Sequence, residues 1–299
     1  MTYIITGASG FIGYNLADYL LKKSFRVIAL VNENSNLIKI NSLPGIETIK
    51  YSNNLNEVKP QLNSIDASCF IHCAWMGVTG AERNDIKQLY NNIPFALSTM
   101  QLAHDLNCVQ WLGLGSQAEY GAINEKVTEA QKENPSSAYA HAKYLIYQSM
   151  KAMANFSKVK YTWVRVFSLY GPNDNSNNFI PYLISSFSSK TSPSITSCEQ
   201  KWDYLFVMDA VEALYLLTEK RAEGLFNLGS GEVIVLKNVV EELKAQMNVM
   251  DEILYGNKTT SIALYHLEAD ITKLNETIHW KPTTTLKIGL SKTINFYTQ

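Results

Sequence analysis

The stretch Thr2-Tyr3-Ile4-Ile5-Thr6-Gly7-Ala8-Ser9-Gly10-Phe11-Ile12-Gly13 decides the fold. An apolar run stops at a turn with glycines at 7, 10 and 13, and apolar residues at helical spacing follow through Leu16, Ala17, Leu20 and Leu21. The pattern is a strand, a tight turn and a helix. Glycine lets backbone approach a diphosphate closely, and the unpaired N–H groups and positive dipole end of the helix meet its charge. Gly7, Gly10, Phe11, Ile12 and Gly13 are therefore expected to hold a dinucleotide. The spacing is GxxGxxG, not the commoner GxGxxG, so the strand before and the helix after carry the reading.

Outward from this turn, strand-like runs alternate with helical patterns. The strands expected are 4–6, 26–31, 48–51, 68–73, 109–115 and 161–167, with long helices at 85–105 and 138–154. This alternation predicts an α/β fold, a Rossmann-type doubly wound parallel sheet. Both long helices have more than one apolar face; burial within the chain is the plainer account, and a homodimer through helices 85–105 and 138–154 is the expectation if a face is left over. After residue 171 the pattern turns irregular. A helix is expected at 179–187, a Ser/Thr-rich connection at 185–197, a strand at 204–207, a helix at 209–218 and a strand at 225–228. Further helices follow at 236–247 and 286–297. Residues 1–171, completed by about 202–228, are assigned to nucleotide binding. Residues 172–201 and 229–299 form a smaller, discontinuous substrate lobe over the carboxyl ends of the strands.

The 299 residues carry a net charge of -1, which gives no basic footprint for nucleic acid. The four cysteines, at 69, 73, 108 and 198, form no CxxC pair and read as reduced and buried. No metal site is expected. The first strand starts at the amino terminus, and no apolar run approaches membrane-spanning length, so a soluble, cytoplasmic protein is expected.

An acid at the end of the second strand would accept hydrogen bonds from the adenosine ribose of NAD. Here Val31 runs into Asn32, and the first acid is Glu33, one or two places late. Nothing at the expected position would repel a 2'-phosphate, so NADP is favoured over NAD, with Asn32 among the cofactor contacts.

Ketone and alcohol interconversion beside a nicotinamide needs a proton donor at the oxygen. A tyrosine serves if a cation lowers its pKa, and a lysine four residues later lies on the same helix face. Three such pairs exist: Tyr19/Lys23, Tyr139/Lys143 and Tyr147/Lys151. Only Tyr139 follows a helix-start signal, Asn134 to Ser137, which places it near the strand carboxyl ends. Ser116, after the strand ending at Gly115, can bring a hydroxyl to the same edge and orient the reacting oxygen.

These residues resemble the extended short-chain dehydrogenases/reductases, the family of nucleotide-sugar epimerases, dehydratases and ketoreductases. The resemblance runs nearly end to end, through TGASGFIG, His72 to Trp75, Gln88 to Asn92, GSQAEYG at 115–121, SSAYAHAK at 136–143 and RVFSLYGP at 165–172. It continues through NNFIP at 177–181, WDYLFVMDAV at 202–211 and IHWKP at 278–282. It implies that Ser116, Tyr139 and Lys143 are the catalytic triad, that Cys73, Ala74, Trp75 and Phe167 lie beside the cofactor, and that Trp75, Ser116, Gln117 and Asn178 meet substrate. His72, Glu119, Arg165, Asn92 and Trp202 have plainer readings: a packed strand histidine, a loop charge, a structural ion pair, and for Asn92 and Trp202 either ligand contact or filler.

Departures from the family narrow the reaction. Gln117 and Ala118 replace the Asp-Glu pair of the dehydratases, and no cysteine and histidine stand where family members that epimerise beside a ketone carry them. Trp202 and His266 stand at or near places where epimerases often carry diphosphate-clamping arginines. The resemblance then implies NADPH-dependent reduction of a nucleotide-linked 4-keto-6-deoxysugar for surface polysaccharide synthesis. The pattern is most like the deoxysugar 4-ketoreductases near CDP-abequose synthase. A nucleotide-sugar 4-epimerase with tightly bound NAD is the alternative, and a non-catalytic NADP-sensing protein the third reading.

Overall fold

The computed structural model describes residues 1–52, 54–258 and 266–299. Its centre is a seven-stranded sheet in the order Gly224–Leu228, Lys160–Val166, Gln110–Ser116, Cys69–His72, Thr2–Thr6, Arg26–Asn32 and Glu47–Tyr51. Every neighbouring pair is parallel. The chain thus forms the doubly wound α/β sheet its alternation predicts. Parallel strands need crossover helices, and those helices bury both faces, so these strands are near-continuous apolar runs.

One face packs on the helices Phe11–Lys22 and Val207–Glu219, with Leu16, Leu20, Val211 and Leu214 fully buried. The other packs on Ile93–Asp105 and Ala138–Ala154, around Trp111 and Trp163, whose rings stack with centroids 6.2 Å apart. Burying each such side chain is worth about 1.5–3 kcal/mol. A third apolar cluster joins the helices Phe179–Ser188, Leu236–Gln246 and Leu286–Thr298.

Register fixes the functional edge. Thr6 pairs with His72, His72 with Gly113, and Ser116 with Val166, so the carboxyl ends of four strands stand side by side. The helix Ala138–Ala154 has its expected bounds, and the Ser137 hydroxyl caps it by accepting from the Ala140 N–H at 3.1 Å.

The structure departs from expectation at 85–105. Regular α-helix runs only over Ile93–Asp105, after a π-helical segment at Gln88–Asn92. Pro94 lies in the first turn of that helix; it lacks an N–H, and its ring crowds the carbonyl four residues earlier, which widens the preceding turn. Short strands without a periodic signal also escape the sequence. Glu125–Val127 pairs with His266–Ala269, which joins the first half of the chain to the second. Among the described residues, no helix is long and apolar enough to cross a membrane.

Candidate active site

Gly7 has φ +75°, and a Cβ there would lie 2.4 Å from the Ala74 backbone nitrogen. A Cβ on Gly13 would lie 2.2 Å from the Gly7 carbonyl oxygen. Any side chain at either position would therefore push the turn apart. The helix starts at Phe11 with Gly10 extended and no side-chain cap. Among the described residues, the N–H groups of Phe11, Ile12 and Gly13 take no protein acceptor. Free donors at a helix start, beside a turn with glycines at 7, 10 and 13, fit a dinucleotide diphosphate.

At the adenosine end, the Asn32 side chain is already committed. Its Nδ2 donates to the Ser52 carbonyl at 2.9 Å, and its Oδ1 accepts from the Asn34 N–H at 3.0 Å. The sequence reading missed Lys39, whose Nζ lies 4.6 Å from the Tyr14 ring centroid beside the glycine turn. No carboxylate among the described residues pairs with it, and burial lowers its pKa. Lys39 sits in an irregular segment, so no periodicity announces that it folds back onto the first helix.

A cavity of about 450 Å³ opens at the strand carboxyl ends. It is lined by Ile12, Cys73, Trp75, Ser116, Gln117, Tyr139, Lys143, Phe167 and Asn178, all singled out from sequence. Gly7, Gly10, Phe11, Gly13, Asn32 and Ala74 do not line it and belong to the turn and strand ends beside it. The structure adds Arg83, Asp174 and Tyr204 to the walls. Asp174 is the one carboxylate among the described lining residues. Its pKa is pushed up to about 6 by burial, against hydrogen bonds from Asn178 and the Asn175 N–H.

The three Tyr/Lys pairs have similar internal geometry, with Nζ 5.1, 5.8 and 5.5 Å from the ring centroid in chain order. Burial and position separate them. Lys23 and Lys151 are exposed, whereas Lys143 is buried and, with Tyr139, faces the cavity. The Lys143 ammonium donates to the Leu114 carbonyl at 2.6 Å and lies 3.6 Å from the Trp75 ring centroid. Burial lowers its pKa to about 7, against the pull of Glu119 and Cys73. Burial likewise raises the Tyr139 phenol, opposed by the Ser116 hydroxyl and the Arg83 guanidinium. Arg83 stacks on the phenol with Cζ 4.3 Å from its centroid. It comes from the 3-10 turn Gly80–Asn84, and nothing in its local sequence points to this contact.

Several plainer readings now resolve. His72 is a packed strand histidine, with Nδ1 2.9 Å from the Thr6 hydroxyl and its pKa pushed down to about 3 by burial and by Lys143. Asn92 neither meets the cavity nor merely fills space: it accepts from the Met76 N–H at 2.9 Å and donates to the Met76 carbonyl at 3.0 Å. With Gln88, which accepts from the Trp75 indole at 2.9 Å, it fixes the loop carrying Trp75. Trp202 lines the cavity. Arg165 pairs structurally, as expected, with Glu119 at 2.9 Å and Glu133 at 2.7 Å. Glu119 is no loop charge: it is fully buried, and the turn that looked solvent-facing folds inward to meet Arg165.

A glycine turn at a helix start and a Ser/Tyr/Lys set at the edge of one parallel sheet are features of the nicotinamide-dependent Rossmann enzymes. The model of the NAD dependent epimerase/dehydratase family matches residues 3–229. The chain belongs to that family and is an enzyme, which removes the sensing-protein reading. It is 24% identical over 309 residues to the dTDP-4-dehydro-6-deoxyglucose reductase of Escherichia coli, matched over 97% of this chain and 96% of that one. Among solved structures, the UDP-glucose 4-epimerase of Thermotoga maritima with UDP-glucose superposes with a TM-score of 0.87 at 22% identity, covering 100% of this chain and 99% of that one. The UDP-glucuronic acid 4-epimerase of Bacillus cereus in complex with NAD gives 0.86 at 20% identity, covering 100% and 97%.

Proposed function

We propose that the protein is a cytoplasmic NADPH-dependent reductase of a nucleotide-linked 4-keto-6-deoxysugar, acting in surface polysaccharide synthesis. Residues 1–171 and about 202–228 would hold the cofactor, and residues 172–201 and 229–299 the substrate. The observation that carries the reading is the make-up of the cavity wall. It offers a phenol, a hydroxyl and an ammonium for hydride chemistry, but no acid–base pair for work at neighbouring sugar carbons. Asp174 stands alone, no histidine lines the described wall, and the Cys73 thiol is pushed up to about 12 by burial.

A nicotinamide cofactor, when bound, supplies the hydride. Tyr139 gives its phenolic proton to the ketone oxygen, while Ser116 donates a hydrogen bond that holds that oxygen in place. The Lys143 ammonium and the Arg83 guanidinium favour the phenolate left behind. For the choice of cofactor, the absence of an acid after Val31 and the unpaired Lys39 favour a 2'-phosphate. Pairing of two copies through helices 85–105 and 138–154 is part of the proposal, supported by the exposed Tyr90, Leu97 and Leu145; sedimentation would check it.

The test is oxidation of added NADPH with CDP- or dTDP-linked 4-keto-6-deoxysugars. Steady turnover supports the reading. A protein that releases NAD on denaturation and interconverts UDP-glucose and UDP-galactose is the 4-epimerase instead, a reading supported by the names of the two solved relatives and served by the same three residues.

A further inference from the structure

A carboxylate that touches neither cavity nor solvent lies directly beneath the reacting groups. Glu119 is fully buried in the 3-10 turn Gln117–Tyr120 that follows Ser116. Its Oε1 accepts from the Ser116 backbone N–H at 2.8 Å and from the Trp163 indole at 3.0 Å. Its Oε2 accepts from Arg165 Nε at 2.9 Å and from the same indole at 3.2 Å. A Cβ on Gly115 would lie 2.5 Å from Oε1, so the glycine is what lets the carboxylate lie against the strand. The Ser116 hydroxyl is fixed in turn, since its Oγ accepts from the Ala118 N–H at 3.2 Å.

A structural ion pair would only need to join Glu119 to Arg165. This one also grips the backbone of the residue that presents the hydroxyl, from the side opposite the cavity. We propose that Glu119 is a positioning residue: it grips the Ser116 backbone and holds the Ser116 hydroxyl in the direction that meets the substrate oxygen. This rests on the hydride chemistry proposed above. Through the low-dielectric interior the carboxylate opposes loss of the proton from Lys143 and from Tyr139. Other charged or titratable groups facing this pair are Arg83 from the 3-10 turn before Asp85, Cys73 and His72 from the neighbouring strand end. Arg165, the partner of Glu119, is itself flanked by Glu133, Tyr120 and Tyr147.

The test compares Glu119→Gln, Glu119→Asp and Glu133→Gln. Glu133 holds the other end of Arg165 and makes no contact with Ser116, so it reports the structural part alone. In Glu119→Gln, kcat should fall about tenfold or more with KM and the NADPH dissociation constant little changed, because only alignment is lost. The phenol of residue 139 should titrate at lower pH by about half a unit or more, read from carbon-13 labelled tyrosine and assigned by its absence in Tyr139→Phe. Glu133→Gln should leave that titration where it is. The NMR reading needs no substrate, so a wild-type enzyme inert toward every ketosugar sinks the reductase reading while leaving Glu119 under test. If Glu119→Gln does not fold, Glu119→Asp keeps the charge but shortens the reach, and should lose kcat without moving the phenol. An unmoved phenol in Glu119→Gln overturns the proposal, as does a wild-type kcat in Glu119→Asp.

Discussion

The two ends of the cavity are built differently. At the end proposed to meet the nicotinamide, Tyr139 stands among charged groups: Lys143, Arg83 and, nearby, Glu119 with Arg165. At the far end the wall is Trp202, Tyr204 and Phe179, with Asp174 the single carboxylate. Buried charge is costly and is kept where it can move a proton, whereas flat aromatic surface suits a nucleotide base and sugar face. The contrast teaches that reaction and recognition are separable here: changes at one end should alter kcat and at the other KM.

The harshest test of that separation is Tyr139→Phe. It removes the proposed proton donor and should cost roughly 10²–10⁴ in turnover while the proposed NADPH still binds, read by fluorescence; retained turnover would move the chemistry elsewhere. Next is Lys143→Met. Turnover should fall about 100-fold, yet the melting temperature should rise, since a cation whose pKa is lowered to about 7 is destabilising to bury. The sign is set by that shift. The unfolded chain holds the Lys143 proton up to about pH 10 and the fold releases it near 7, so wild-type stability should increase between those limits and the variant should lack that rise. A variant that melts lower would break the view of Lys143 as a functional charge kept against stability.

Trp202→Ala at the far end should raise KM about tenfold with kcat nearly kept, measured by steady-state kinetics. Equal loss in both parameters would show that the two ends are coupled. The smallest effect is expected of Asp174→Asn. Burial raises Asp174 to about 6, so below that pH it is protonated; as pH rises from about 4 to 6 its ionisation costs stability. The variant should lose this slope in a series of melting curves, gain slightly at neutral pH, and abolish any change in KM between pH 5 and 7.

The same contrast runs through what could be read in advance. The proposed reacting end is largely made of local signals: a glycine turn between strand and helix, a serine at a strand's end, a tyrosine in the first turn after a capped helix start. Each is contiguous in the chain, and the parallel register through Thr6, His72 and Gly113 brings the strand ends that carry the turn and Ser116 to one edge. Arg83, Lys39 and Asp174 lie in irregular segments, where no period fixes direction, and they were not read. The strands at 125–127 and 266–269 escaped for the related reason that two- to four-residue strands exist only through their partners.

By itself the sequence determined the doubly wound sheet, and it pointed to the glycine turn and the Ser116, Tyr139 and Lys143 set as the proposed site, because period and turn chemistry act over a few residues. Tertiary structure alone decided that Glu119 is a buried partner of Arg165 rather than a charge in solvent. Arg165 is 46 positions further along the chain, and the meaning of a carboxylate is set by what surrounds it once water has gone.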